Sequence, residues 1–334
     1  MRSEKKKILI LSVSGIGNTI MQSPMINSLA RQENLVVDVL FQNRTGSAVY
    51  AHDQAIRTRY LLPDHPLGAL PLIRTSRRNR YDYSVCGFPS NLVELNLFPF
   101  LVGARRRVTH SYSVGKWRTL NFLSNVKIVA DTRLHDVEQN LQLLNVFNLK
   151  IPSRPQLTFS MAAANHEFAR QFVKTFDSRP ILGIHPGSGP LRQKRWPQER
   201  FLSLAARLKH TFNIIIFGTP GETAAFQPRE GVHVCRASLN DTAALICRCD
   251  RFLSADTGLM HIAAACGVRQ VVLWGPTAYS RTRPWSERAV VLGRTDLDCL
   301  QYPFYDTKSR FNCPAAGQYM AAITVDEVIA AICQ

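Results

Sequence analysis

The chain has 334 residues, 46% of them apolar, and its 41 Lys and Arg stand against 24 Asp and Glu for a formal charge of +17. That length exceeds one typical core and calls for about two domains. The charge calls for a polyanionic partner, with nucleic acid, anionic lipid and phosphorylated sugars all eligible, and the absence of any run of about 18 apolar residues excludes a membrane-spanning helix.

The basic residues are patched at Lys5 to Lys7, Arg74 to Arg80, Arg105 to Arg107 and Arg192 to Arg200. Lys5 to Lys7 followed by apolar residues 8–13 mimics a signal peptide, but the apolar run is short and lacks a small-residue cleavage site, so it reads as a first buried strand. The eight cysteines contain no CxxC pair. They read as mostly reduced thiols of a cytosolic protein, with Cys247 and Cys249 too close to bridge within one helix. Cys299 and Cys313 bracket an aromatic loop and offer a late bridge or half a metal site, although no His or Cys at ligand spacing completes one.

In chain order, residues 8–13 are a continuous apolar run of the kind buried on both faces of a parallel sheet. Ser14-Gly15-Ile16-Gly17-Asn18 turns into a helix from Thr19 to about Arg31 with Asn18 as its cap, and residues 36–41 make the second strand of a βαβ unit. The third glycine of a dinucleotide fingerprint is missing at Thr19-Ile20, which argues against a nicotinamide enzyme. Residues 48–80 read as helix and loop, 81–86 as a strand, 92–102 as a helix, 105–108 as a short strand and 136–149 as an amphipathic helix preceded by His135.

The prolines at 152 and 155 mark a linker, dividing the chain into residues 1–155 and 156–334. A second α/β series follows: helices at 162–176, 201–210 and 241–249, and strands at 181–185, 214–217, 252–255 and 271–274. Two open α/β domains imply a cleft, with ligands beyond the carboxyl ends of the strands.

Four strand ends in the second half carry suggestive groups. The first is His185-Pro186-Gly187-Ser188 with Lys194-Arg195-Trp196-Pro197 behind it, where small residues let backbone approach an anion and Lys194 brings a compact charge to a leaving phosphate. The second is Gly218 to Glu222, whose carboxylate suits ribose hydroxyls, and the fourth is Gly275-Pro276-Thr277. The third, Asp256-Thr257-Gly258-Leu259-Met260-His261, is a strand feeding a helix that Gly267 closes. The N–H groups of Gly258, Leu259 and Met260 have no partner inside that helix and can cradle a phosphate, with Asp256 beside it for hydroxyls. An ordinary turn capped by Asp256 or Thr257 fits the same residues.

Residues 256–265 followed by Leu273-Trp274-Gly275-Pro276-Thr277 resemble the signature of the ADP-heptose:lipopolysaccharide heptosyltransferases, glycosyltransferase family 9. His185 to Ser188, Lys194 to Pro197, the Tyr81-Asp82 strand and residues 8–24 match that family in the same order. The resemblance implies the GT-B fold, two Rossmann-like domains with parallel sheets facing a central cleft, the acceptor on the first domain and the nucleotide sugar on the second. It implies inverting, metal-independent transfer of a heptose from ADP-heptose to a lipid-linked oligosaccharide such as a lipopolysaccharide core, with no cofactor. Lys194 and the N–H groups of Gly258 to Met260 then stabilise the leaving diphosphate, Ser188 lies beside it, Asp256, Thr257 and His261 help place the donor, and Glu222 holds the ribose.

The basic patches would meet acceptor phosphates and the anionic inner face of a bacterial inner membrane, where the protein is expected as a cytoplasmic, peripheral enzyme with no nucleic-acid partner. One position departs from the family, which shows Gly-Asp after the first strand where this chain has Gly17-Asn18. An amide takes no proton at neutral pH. Either another group substitutes, His135 being the candidate, or an acceptor phosphate takes the proton, or the chain is a non-catalytic nucleotide-sugar or oligosaccharide binder.

Overall fold

A computed structural model describes residues 5–90, 92–112, 119–131, 133–187, 194–293 and 316–334. The chain divides into two compact units, Met1–Ser160 and Met161–Gln334. The first holds strands β1 (Lys6–Ser12), β2 (Leu35–Phe41), β3 (Ile56–Leu61), β4 (Tyr83–Cys86), β5 (Arg106–Ser111) and β6 (Val126–Val129), all parallel in the order β3-β2-β1-β4-β5-β6. The second holds β7 (Ile181–His185), β8 (Asn213–Phe217), β9 (Val232–Cys235), β10 (Arg251–Ala255), β11 (Arg269–Trp274) and β12 (Ala289–Gly293), parallel in the order β12-β11-β10-β7-β8-β9. Counted within its own unit, each sheet has the doubly wound order 3-2-1-4-5-6, the Rossmann topology. The chain therefore runs the same topology twice, although no repeat shows in its residues.

The central strands are apolar because helices cover both their faces. Ile8, Leu9 and Ile10 are inaccessible to solvent, as are Ile214, Ile215 and Ile216. The second core gathers side chains from both strands and helices, with Trp196 set edge-on to Phe201 at 4.8 Å and its indole N–H donating to the Ile323 carbonyl at 2.9 Å.

Several elements differ from the sequence reading. Residues 48–80 contain strand β3, which reads Ile-Arg-Thr-Arg-Tyr-Leu and owes its place to a partner across the sheet. Asp38, in the middle of β2 and inaccessible to solvent, is paired bidentately by Arg57, its Oδ1 accepting from Arg57 Nε at 2.9 Å, while the Tyr81 hydroxyl donates to its Oδ2 at 2.5 Å. A charge that deep is tolerated only with its hydrogen bonds complete. The edge strands β6 (Val-Lys-Ile-Val) and β9 (Val-His-Val-Cys) are short and interrupted by Lys127 and His233, so they lack the apolar run that marked the central ones, whereas β12 (Ala-Val-Val-Leu-Gly) has one that the sequence reading passed over.

The expected helix from Thr19 to Arg31 is two helices, Ile16–Met21 and Ser23–Ala30, meeting at Gln22. Pro24 in the first turn of the second lacks the N–H that a continuous helix would use. Asn18 is accordingly not the cap: Gly15 is, and Asn18 is the third helical residue. The helix expected over 136–149 is α-helical only over Asp136–Gln142, then tightens to a 3₁₀ segment, Leu143–Phe147, ended by Asn148 in the left-handed region.

The expectation of unbridged thiols needs one correction. Cys247 and Cys266, each capping the carboxyl end of a helix, are joined as a disulfide with their Cα atoms 5.1 Å apart. Their separation of 19 in sequence gave no spacing signal, since the pairing follows from two helices, Leu239–Ile246 and Gly258–Ala265, packing side by side. Cys86, Cys235 and Cys249 are buried free thiols and Cys333 is an exposed one, while Cys299 and Cys313 lie outside the described residues.

Candidate functional site

In a doubly wound sheet the strand order reverses beside the first strand, and the loops leaving the two strands there part to opposite faces. In the second unit those strands are β7 and β10, which pair directly. Lys194 arrives from the β7 side and Asp256 stands at the end of β10. Their side chains meet at 2.6 Å, and Thr277, from the loop after β11, donates its hydroxyl to the same carboxylate oxygen at 2.7 Å. Burial raises the Asp256 carboxyl, but the Lys194 ammonium and these hydrogen bonds outweigh it and leave the group below the usual carboxylate range. Asp256 is thus an anion that holds a lysine in place. Thr277, singled out in sequence as part of the fourth strand end but without a role, joins the pair through that hydroxyl.

The helix Gly258–Ala265 starts two residues on, with Thr257 as its N-cap in extended conformation. The Thr257 hydroxyl does not cap the helix, and it is buried with no hydrogen-bond partner among the described residues. His261, one turn into the helix and 3% exposed, has a buried Nδ1 in the same condition. Burial drives its pKa down to about 4, Asp256 opposing and Lys194 assisting. It is a neutral imidazole at pH 7. Buried polar atoms without partners are uncommon, and two of them beside a helix N-terminus and a lysine suit a polar ligand. Leu259 lies on the first helical turn with Gly258, and Met260 behind them is fully buried in the core.

Glu222 sits beyond β8. Its Oε2 accepts from the Thr219 N–H and hydroxyl, both at 2.9 Å, and a Cβ built on Gly187 would fall 2.1 Å from its Oε1. Gly187 is therefore the residue that lets the loop after β7 lie against that carboxylate. Burial raises Glu222, but Thr219, His185 and Arg195 together bring it below the ordinary value. Ser188 lies outside the described residues.

The first unit repeats the arrangement with different chemistry. Its reversal falls between β1 and β4. There Gln22 Nε2 donates to the Phe88 carbonyl at 3.1 Å, and Asn140 Oδ1 accepts from the Phe88 N–H at 2.8 Å, fixing the turn that carries the cis Phe88-Pro89 bond. Gly87 leaves room for this bond, because a Cβ there would lie 2.5 Å from the Gln22 amide and displace it. Gln22 Oε1 and Ser14 Oγ are buried without partners among the described residues. Asn18 is half-buried on the helical turn that follows β1, and from Ser12 to Gln22 the chain holds no ionisable side chain.

His135 is buried, at 1% exposure, and is the N-cap of Asp136–Gln142. Its Nδ1 accepts from the Val137 N–H at 3.1 Å, and Glu138 returns a bond to its backbone at 2.8 Å. An imidazole whose Nδ1 lone pair is so engaged carries its proton on Nε2, where it donates and takes nothing. The helix it caps packs against Ile16–Met21, the helix that carries Asn18, and the Nδ1 of His135 is in use as a cap.

Two Rossmann-like units, the second with a lysine and a helix N-terminus converging beyond the sheet at its reversal, define the GT-B class of nucleotide-sugar proteins. The chain belongs to glycosyltransferase family 9, the heptosyltransferases, whose model matches residues 71–306. Lipooligosaccharide heptosyltransferase 2 of Haemophilus ducreyi is 32% identical over 183 residues, 51% of either chain. Lipopolysaccharide heptosyltransferase 2 of Escherichia coli K12 is 32% identical over 150 residues, 41% of this chain and 42% of that protein. The chain thus spans about half the length, or less, of these curated relatives. Among solved structures, E. coli ADP-heptose lps heptosyltransferase II superposes with a TM-score of 0.75 at 22% identity over 97% of both chains. A family 9 glycosyltransferase from Veillonella parvula gives 0.78 at 18% identity over 99% of this chain and 97% of its own. At those identities the likeness is one of fold.

Proposed function

We propose that this chain is an inverting heptosyltransferase that moves a heptose from ADP-heptose to the core sugars of a lipopolysaccharide or lipooligosaccharide, without a metal ion. The observation that carries the reading is the Lys194–Asp256 pair at the head of the helix Gly258–Ala265. An acceptor hydroxyl attacks the anomeric carbon from the face opposite the diphosphate. The new C–O bond forms as the sugar–phosphate bond breaks, so the configuration inverts and ADP leaves with the electron pair, while the hydroxyl's proton passes to a phosphate of the acceptor. The charge growing on that diphosphate meets Lys194 and the free N–H groups of Gly258, Leu259 and Met260, donors already aimed before the reaction starts. Asp256 holds the Lys194 ammonium in place, Thr257 and neutral His261 place donor groups, and Glu222 reads the ribose. The heptose and the lipopolysaccharide acceptor are supported by the names of the relatives.

In this reading residues 156–334 bind the donor and residues 1–155 the acceptor, with no nucleic-acid partner. The protein works in the cytoplasm, peripherally, at the inner face of the bacterial inner membrane, and the net charge of +17 supports an anionic surface as partner. No helix among the described residues is long and apolar enough to cross a membrane. The test is incubation with ADP-heptose and a heptose-deficient lipopolysaccharide core, followed by mass spectrometry of the product. A gain of one heptose is expected.

A second reading rests on the first unit. Asn18 accepts no proton and the Nδ1 lone pair of His135 is engaged as a cap, which favours a non-catalytic nucleotide-sugar binder. ADP-heptose binding by calorimetry with no transfer to any core acceptor is its outcome.

A further inference from the structure

The first unit has an outer face that the donor chemistry does not use. Strand β3 leads through the turn Pro66–Gly68 into the helix Ala69–Arg78, which packs beside the helix Val93–Val102 that follows β4. Both helices run from the carboxyl edge of the sheet back to its amino edge, so they lie side by side and point the same way. The inner side of Ala69–Arg78 is settled: Leu72 and Ile73 pack on the core and Ser76 is buried. Its outer side carries Leu70, Arg74, Arg77 and Arg78, spaced by three or four residues along one stripe, with Leu67 on the preceding turn. Leu67 is 69% exposed and Leu70 51%. The neighbouring helix adds Phe100 at 48% and Leu101 at 38%, and the Arg107 guanidinium stands 5.7 Å from the Phe100 ring.

Large side chains this exposed are unremarkable singly, but here four fall on or beside two adjacent helices, Leu67 and Leu70 at the start of one and Phe100 and Leu101 near the end of the other, with three exposed arginines on the first. From residue 64 to 107 the sequence holds seven arginines against three acids, Asp64, Asp82 and Glu94. Asp82 is already engaged, accepting from the Lys7 N–H at 2.9 Å and lying 3.7 Å from Arg105. A protein partner or a soluble polyanion would account for half of this pattern each. Apolar side chains among cationic ones, with the arginine stems able to lie along the apolar surface, match the two layers of an anionic bilayer surface.

We propose that this helix pair is the membrane-docking face: Leu67, Leu70, Phe100 and Leu101 enter the headgroup–acyl boundary, and Arg74, Arg77 and Arg78 contact the phosphates of anionic phospholipids. The inference deepens the peripheral-membrane part of the function proposed above and rests on that part alone. Docking would hold the acceptor-binding unit against the surface in which a lipid-linked acceptor is anchored.

The experiment uses the full chain and sucrose-loaded vesicles of phosphatidylglycerol mixed with phosphatidylcholine, or of phosphatidylcholine alone, with neither donor nor acceptor present. Wild-type protein is expected to sediment with the mixed vesicles and to be released as salt rises. Combining Arg74→Ser, Arg77→Ser and Arg78→Ser should weaken binding roughly 100-fold, at the usual contribution of each arginine near an anionic surface. Combining Lys174→Ser, Arg207→Ser and Lys209→Ser removes the same charge from the second unit and should change it less than about 3-fold. As a measurement that does not depend on losing binding, a tryptophan placed by Leu70→Trp should be quenched by vesicles with brominated acyl chains. Equal binding to both vesicle types, equal loss in the two triple variants, or no quenching would overturn the proposal. So would a wild-type dimer in sedimentation velocity that Leu67→Ser with Leu70→Ser disperses, because the face would then be an interface between copies. Heptose transfer to a soluble core fragment is read separately, so failure of docking and failure of the transfer reading are distinct results.

Discussion

The two units run one topology and put different chemistry at the same point of it. At the reversal between β7 and β10, a charged pair spans the gap, Lys194 from one side and Asp256 from the other. At the reversal between β1 and β4, the corresponding link is a neutral amide on a backbone carbonyl, Gln22 to Phe88. The topology supplies a crevice in both cases, and the side chains decide what it can stabilise. A lysine fixed by a buried carboxylate is suited to charge that grows on a leaving diphosphate. Amides that hold a turn are suited to positioning hydroxyls and supply no proton acceptor. On one topology, side chains make the reversal of the second unit a place for charge and that of the first a place for neutral hydrogen bonds.

The strongest way to break the comparison is Lys194→Ala. If the lysine stabilises the leaving group, kcat for heptose transfer should fall by about 10² to 10³, the usual cost of removing one preorganised donor. The loss should appear in kcat more than in KM, because the charge it meets develops in the transition state. Asn18→Ala at the opposite reversal should act mainly on the KM of the acceptor. Equal effects of the two on kcat would erase the distinction.

Acid should separate the units next. Burial, partly offset by the Gln139 carbonyl, lowers the pKa of His110 in the first unit to about 4, and burial similarly lowers His261 in the second to about 4. Burial also lowers His185 and His233, both in the second unit. In the unfolded chain each takes a proton near pH 6.5, so between 6.5 and 4 the unfolded state binds more protons than the folded one. Stability is therefore full above pH 6.5 and is lost as pH falls toward 4, by about 2 kcal/mol for each of His110 and His261 between pH 7 and 5. Hydrogen exchange at the two pH values should show the second unit losing more protection. His110→Gln should flatten the response of the first unit only, and a uniform response would contradict the assignment.

Much of this was legible in the residues, for identifiable reasons. The central strands declared themselves because burial on both faces demands a continuous apolar run, as in residues 8–13 and 214–217, and the helix Gly258–Ala265 did because a strand-turn-helix unit needs small residues at its start. Strand β3 was not legible, since its Arg57 is answered by Asp38 across the sheet, 19 residues away, and its Arg59 by the carbonyls of Tyr50 and Asp53. The break at Gln22 was written in Pro24, but Asn18 resembled a cap strongly enough to hide that the helix begins at Ile16. The neutral link between Gln22 and Phe88 joins residues 66 apart, and no local pattern could announce it.

The missing carboxylate gives the next prediction. Asn18→Asp puts a proton acceptor at the first reversal, where the chain from Ser12 to Gln22 has none. If transfer is limited by deprotonation of the acceptor, the rate should rise by about 10², the lower end of what a positioned base contributes. The gain should follow the ionisation of the new carboxylate, absent at low pH and reaching a plateau above its pKa. A rate that stays put would mean that orientation and leaving-group stabilisation already suffice.

His135 yields the smallest effect and the cleanest discrimination, because its two possible roles differ in what replaces them. As a cap it contributes through an acceptor atom held at the Val137 N–H, and Asn offers an acceptor of similar reach. His135→Asn should leave stability within a few tenths of a kcal/mol and transfer nearly unchanged, while His135→Ala should cost about 1 kcal/mol of unfolding free energy in urea. A residue acting as base would show the reverse pattern, a large loss of kcat in both variants whatever happened to stability. In the Asn18→Asp background, moreover, a true base at 135 would become dispensable, whereas a cap would cost the same there as in the parent chain.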